Sequence, residues 1–258
     1  MSVPCTNKNK PVLILQLRPE DVTADSEYLA FLKYGALSAT DTKRIRIEQA
    51  GIPSDLSLEE YSAIIVGGSP FDISTPATDK SAIQHKVEDD FRRLLARVLE
   101  LDFPFLGACS GNGMLGHYLG TSISRQYGEA VGCVKLTLTE AGRQDPLLHG
   151  FPDQIHVLLG HKEACDRLPE GATLLLRGDD CPVQMFRVGK NVYATQFHPE
   201  GDAEGFSVRI NAYRNHGYFE PDQADQLIDA VSHVETPFAQ QILKRFVARY
   251  YRETTGQD

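Results

Sequence analysis

Residues 12–17 (VLILQL) form an apolar run of strand length, the pattern of a strand buried on both faces of a parallel sheet. A helical stretch over 26–37 follows. Residues 44–48, with Ile45 and Ile47 alternating, read as a second strand, and 61–66 (YSAIIV) as a third that ends in Gly67-Gly68. Across 82–99, Ile83, Val87, Phe91, Leu94, Leu95 and Val98 share one helical face, while Glu88, Asp89, Arg92, Arg93 and Arg97 share the other. A short apolar strand at 103–108 (FPFLGA) then runs straight into Cys109, and Met114, Leu115, Tyr118 and Leu119 resume helical spacing. Strands that alternate with helices predict βαβ units and an α/β fold.

From 122 to 197 the pattern turns to short strands, ISRQY, VGCVKLTLT, IHVLLG, ATLLLRG, PVQMFRVG and NVYATQF, punctuated by Gly, Pro and Asp. Thr236-Pro237 then predicts an N-cap followed by proline at the first helical position, and Phe238, Ile242, Leu243, Phe246, Val247 and Tyr250 make the apolar stripe of a closing helix. No repeat, linker or low-complexity segment interrupts the chain. One domain over 1–258 is expected, with a core at about 12–200 and a helical extension at about 203–253.

Composition narrows the function. The 258 residues are 41% hydrophobic and 24% charged, ordinary globular usage, and the formal charge is −9. An acidic surface repels phosphate backbones and anionic membranes, so neither nucleic acid nor a membrane is expected as partner. No apolar run approaches the length of a membrane span, and the first ten residues lack the apolar core of a signal peptide. A cytoplasmic protein is the expectation. The five cysteines form no C-x-x-C, which suggests neither a disulfide framework nor a zinc knuckle.

Gly107-Ala-Cys109-Ser-Gly111 has the G-x-nucleophile-x-G form of a nucleophile elbow between a strand and a helix. Small neighbours let the backbone turn sharply beneath the thiol, and the helix N-terminus favours thiolate. The plainer reading of Cys109 is a small buried hydrophobe at a strand end. A third reading uses overlapping letters: Gly111-x-Gly113-x-x-Gly116 matches the dinucleotide fingerprint, with Glu129 near the place of its acidic residue. That would make the chain a nucleotide-binding oxidoreductase.

Gln196-Phe-His198-Pro-Glu200 weighs toward the nucleophile. In an extended segment His198 and Glu200 face one way, so the carboxylate can fix the imidazole's tautomer while the imidazole takes a thiol proton. A surface His and Glu at a strand end remains the alternative. The zinc-deaminase pattern that also begins H-x-E needs a downstream P-C-x-x-C, absent here, and His149, His156 and His161 show no ligand spacing. No metal is expected. A backbone N–H of the Gly67-Gly68 turn, with that of Ser110, could face a developing oxyanion.

In order and spacing, VGGSP, GACSG, GHKEACDRLPEGA and QFHPE resemble the class I glutamine amidotransferase family, in particular its stand-alone members similar to GMP synthase. The resemblance covers about 12–200. It implies a three-layer flavodoxin-like fold around a central, mostly parallel sheet. It also implies attack by Cys109 on the side-chain amide of glutamine, His198 as base and then acid, Glu200 orienting it, and the Gly68 and Ser110 amides as oxyanion hole. Gly113 and Gln196 fall in the substrate site. Where the family usually carries glutamine, this chain has Gly113, which questions free glutamine as substrate. No cofactor is implied, and no ATP-dependent synthetase half is expected within these residues. A separate ammonia-accepting synthetase is one expected partner; a γ-glutamyl peptide or amide hydrolase with the same residues, or a catalytically silent module that keeps the fold, are the alternatives. The segment 203–221, with Arg209, Tyr213, Arg214, His216 and Tyr218, is expected either to form a lid or specificity element or simply to pack as surface helices.

Overall fold

The computed structural model describes residues 10–251; Cys5 and the last residues of the expected C-terminal extension lie outside them. Among the described residues the chain runs β1 (Val12–Gln16), α1 (Asp21–Gly35), β2 (Thr42–Arg46), α2 (Ile47–Ala50), β3 (Ala63–Val66), α3 (Ala82–Leu101), β4 (Phe105–Ala108) and α4 (Ser110–Tyr118). It continues through β5 (Ile123–Ser124), β6 (Glu129–Leu138), α5 (Glu140–Gln144), β7 (Gln154–His161), β8 (Ala164–Cys165), β9 (Ala172–Arg177), β10 (Met185–Val188), β11 (Val192–Thr195), α6 (Ala203–Ala212), α7 (Ala224–Val231) and α8 (Pro237–Tyr250).

One nine-stranded sheet takes the order β2-β1-β3-β4-β11-β10-β9-β6-β7. Its first five strands are parallel, and β10, β9, β6 and β7 extend it as an antiparallel run. This mixed sheet flanked by helices is the flavodoxin-like arrangement expected from the sequence. Apolar runs build it because β1, β3, β4 and β11 are buried throughout. Alternate residues of β1 face opposite layers: Val12 and Ile14 pack toward Phe31 and the α8 side chains Ile242, Leu243 and Phe246, whereas Leu13 and Leu15 pack toward Val87, Phe91 and Leu95 of α3.

Several boundaries differ from the pattern. Helix α1 begins at Asp21, because burial of Thr23, Ala24 and Glu27 outweighs the weak helix propensity of this Asp/Thr/Ser-rich turn. The second strand ends at Arg46, and Ile47 opens a short helix that inserts it in the core. The segment ISRQY yields only the two residues of β5 before a 3₁₀ turn at Arg125–Tyr127. Thr236 precedes Pro237 as expected but does not cap α8 with its side chain: its hydroxyl donates to the Gly201 carbonyl at 3.2 Å, as does Gln240 Nε2 at 3.1 Å. No helix among the described residues is long and apolar enough to cross a membrane.

Candidate active site at the carboxyl ends of the parallel strands

Parallel register brings the sequence motifs together. Val66 of β3 pairs with Gly107 of β4, and Ala108 of β4 pairs with Thr195 of β11. The residues just beyond these strands, Gly67-Gly68, Cys109 and Gln196–Glu200, therefore meet at one edge, where open α/β sheets hold their ligands. The Cys109 N–H donates to the Thr195 carbonyl at 2.8 Å, fastening the two turns.

Cys109 sits at φ 51°, ψ −95°, one of three non-glycine residues with positive φ among those described. Such a backbone costs on the order of 1–3 kcal/mol. Gly107 and Gly111 make it sterically possible: a Cβ on Gly107 would lie 2.7 Å from the Gly111 carbonyl carbon, and one on Gly111 would lie 3.2 Å from Val66. Gly113 and Gly116 likewise face Ile73 and Cys165. The G-x-G-x-x-G string thus seats α4 closely against its neighbours, and Glu129 accepts from His161 Nε2 at 2.9 Å rather than standing free for a ribose.

The thiol is half-buried, and burial pushes it up to about 11 despite the pull of Arg18 and Arg209. Burial thus opposes the thiolate that the helix terminus favours. His198 is 4% exposed, and burial depresses it below its ordinary value against the opposing pull of Glu200, so the imidazole is neutral and can accept a proton. Its Nδ1 is 2.8 Å from Glu200 Oε1. Burial alone would raise fully enclosed Glu200, but His198 and Arg209 hold its carboxyl well below the usual carboxylate range. Arg209 of α6 donates through Nη2 to the same Oε1 at 2.7 Å.

A second buried pair stands alongside. Arg18, just past β1, donates through Nε to Glu27 Oε2 at 2.6 Å and through Nη1 to the Tyr213 hydroxyl at 3.1 Å. Burial would discharge Arg18, yet Glu27 and Tyr213 raise it well above its ordinary value. Glu27 is also reached by Gln16 Nε2 at 3.0 Å and by the Gly68 N–H at 3.2 Å. In that last bond the Gly68 amide donates to Glu27, while Ser110, the first residue of α4, has no acceptor within its own helix for its N–H. A Cβ on Gly68 would lie 2.6 Å from Arg18 and 2.9 Å from His198, so this turn must pass both side chains without one.

Two cavities open on either side of Cys109 and share Ser69 and Tyr218 in their walls. One is lined by Gly113, Gln196, Asp72, Lys162 and Glu163. Gly113 and Gln196 line this cavity, and Ile73, 2.8 Å from where a Gly113 Cβ would stand, fills the space a longer residue would need. The other lies on the His198 side and is walled by Arg18, Phe206, Arg209, Tyr213 and Phe219. The extension thus reaches the site, except that exposed Arg214 pairs with Asp225 and His216 lies near Glu20. Arg18 and Glu27 belong to none of the sequence motifs; a charged residue directly after a buried parallel strand is the one signal the sequence offers for them.

Among the described residues, two groups could bring ligand atoms within 4.8 Å for a metal: Glu27 with His198 and Glu200, and Glu129 with His161 and Cys181. In the first, Arg18 and Arg209 already occupy the carboxylates. In the second, Glu129 already accepts from His161 and from Gln184.

A family model described as glutamine amidotransferase class-I matches residues 33–223. The chain belongs to the class-I glutamine amidotransferase family. Among its curated relatives is the glutamine-hydrolyzing GMP synthase of Thermosipho africanus, 30% identical over 62% of this chain and 29% of its own length. The chain thus spans less than a third of that protein. One subunit of the glutamine-hydrolyzing GMP synthase of Methanosphaera stadtmanae is 28% identical over 66% of this chain and 84% of its own. In fold, a solved glutamine amidotransferase from Thermotoga maritima superposes with a TM-score of 0.73, at 23% identity over 93% of this chain and 97% of that one. As a class-I glutamine amidotransferase, this chain has its matched region running from α1 to just short of α7, which takes in Gly68, Cys109, His198, Glu200 and Arg209.

Proposed function

We propose that the protein hydrolyses a γ-glutamyl carboxamide, glutamine being the simplest, through a thioester on Cys109. The observation that carries this reading is the strained Cys109 turn opening into the same cavity as His198, whose imidazole is held by the buried Glu200–Arg209 pair.

With Cys109 as a thiol and His198 as neutral imidazole, the proton passes to His198 as sulfur attacks the γ-carbonyl carbon. The resulting imidazolium is stabilised by Glu200, which Arg209 keeps ionised and oriented. The Ser110 N–H at the start of α4 faces the oxyanion, and Gly68 joins it once its amide turns from Glu27. His198 then protonates the departing nitrogen, the C–N bond breaks, and water, activated by the same imidazole, clears the thioester to glutamate. The polar cavity, with Lys162, Asp72 and Glu163, receives the charged head of the glutamyl group. For glutamine itself the leaving group is ammonia, and relatives named as one subunit of a GMP synthase support a separate synthetase chain as its acceptor. The cytoplasm is the expected location.

The test is glutamate release from glutamine by the purified chain beside Cys109→Ala. Cys109-dependent release supports the reading; equal release by both proteins overturns it.

A further inference from the structure

The cavity on the His198 side is more apolar than ammonia requires. The departing nitrogen must lie within reach of His198, which protonates it, so whatever that nitrogen carries projects into the wall formed by Phe206, Tyr213, Tyr218 and Phe219. An ammonia molecule offers this wall no apolar surface to bury. The wall also carries charge. Arg209 is 6% exposed, and beyond its bond to Glu200 its Nε and Nη1 have no hydrogen-bond partner. Buried donors of this kind are normally satisfied, and a ligand acceptor at this wall would satisfy them. Arg18 adds a second guanidinium, held against the Tyr213 hydroxyl.

We infer that this cavity receives the amine half of a γ-glutamyl amide, an amine that bears both an aromatic or bulky apolar side chain and a carboxylate, as in a γ-glutamyl dipeptide of an aromatic amino acid. The inference rests on the reading of Cys109 given above and names the substrate class of that site. The reaction balances as a hydrolysis: Cys109 sulfur bonds to the γ-carbonyl carbon, the C–N bond breaks, and the nitrogen takes the thiol proton through His198 and leaves as the free amino acid. Water then yields the γ-carboxylate of glutamate and restores the thiol. The aromatic side chain packs among Phe206, Tyr213 and Phe219, and the carboxylate faces Arg209 and Arg18. The other cavity keeps the glutamyl half in the same orientation for every substrate, so selection falls on the amine.

The experiment compares kcat/KM of the full chain for glutamine, γ-glutamyl-phenylalanine and γ-glutamyl-phenethylamine, the last having the ring without the carboxylate. γ-Glutamyl-phenylalanine is expected to exceed glutamine at least tenfold, with the phenethylamide at least threefold below the dipeptide. In Val131→Phe, which fills the cavity from β6, and in Phe219→Ala, which removes part of its wall, the dipeptide-to-glutamine ratio is expected to fall at least fivefold; two opposite changes guard against one variant failing to fold. Cys109-dependent turnover in which glutamine equals or exceeds the dipeptide overturns this inference and leaves the Cys109 reading standing. A dipeptide and phenethylamide turned over equally well overturn the carboxylate assignment. No Cys109-dependent turnover of any of the three overturns both.

Discussion

The two sides of Cys109 are built on different principles. On the polar side, Gln196, Lys162 and Glu163 come from turns and strand ends of the sheet and Gly113 from the first turn of α4, and backbone order does much of the work: the Glu163 carboxylate accepts the N–H groups of Ile73 and Ser74 at 2.6 and 2.9 Å. On the aromatic side, Phe206, Arg209, Tyr213 and Phe219 come from one late segment and are held by side-chain contacts, such as Arg209 over the Phe206 ring at 5.1 Å and Tyr213 beside Tyr218. The first side is fixed by the sheet and suits a constant part of a substrate. The second is a separable wall, suited to the part that varies.

The comparison breaks most sharply at the nucleophile, which lines both cavities. Cys109→Ala is expected to lower turnover of every γ-glutamyl amide by at least about 10³-fold, with loss of covalent trapping of the thiol in mass spectrometry; substrates differing in their loss would mean a second nucleophile. Glu200→Gln should lower kcat by about 10²–10⁴-fold with KM little changed, because it acts through His198 rather than on substrate. Arg18→Met tests the aromatic side's foundation. Leaving Glu27 buried without its cation should cost about 3–5 kcal/mol in chemical unfolding, and an unchanged midpoint would show that Glu27 finds compensation elsewhere. Gly113→Gln acts on the polar side alone: its side chain must displace Ile73, so KM should rise about tenfold, a change in binding near 1.4 kcal/mol, for glutamine and larger amides alike.

The pH profile gives the smallest effect. His198 must be neutral to accept the thiol proton, and burial depresses it, so the acid limb of kcat/KM should fall below pH 6.5, the ordinary histidine value. Folding stability follows the same sign: as pH drops below 6.5 the unfolded chain gains a proton that folded His198 refuses, and stability declines until the pH reaches the lowered value. The low-lying Glu200 continues the decline once the pH passes under the ordinary carboxylate range. An acid limb above pH 6.5 would place the titration on another group.

How far these sides can be read from sequence follows from how they are made. Cys109, His198, Glu200 and the Gly67-Gly68 turn are legible because short glycine-rich turns after buried parallel strands leave a local signature, and parallel register alone brings them together. Gly113 and Gln196 come with those motifs. Arg18 and Glu27 do not, since their partnership spans the β1–α1 loop and depends on a helix starting earlier than its propensities suggest. The motif assigns the Gly68 amide to the oxyanion, yet its direction depends on Glu27, a residue from another element. Arg209, Tyr213 and Tyr218 stand out as chemistry in the right place, but only packing decides which residues of 203–221 face the nucleophile, and it turns Arg214 and His216 away.

The backbone at Cys109 has a consequence for the history of this chain. A turn at φ 51°, ψ −95° is uphill for any residue with a Cβ, and drift toward glycine there would relax it at no cost to the sheet. A fold that had ceased to react would be free to take that downhill step. A thiol held on a sprung turn, above two glycines cleared to make room for it, is the strain that the proposed hydrolysis gives a reason to keep.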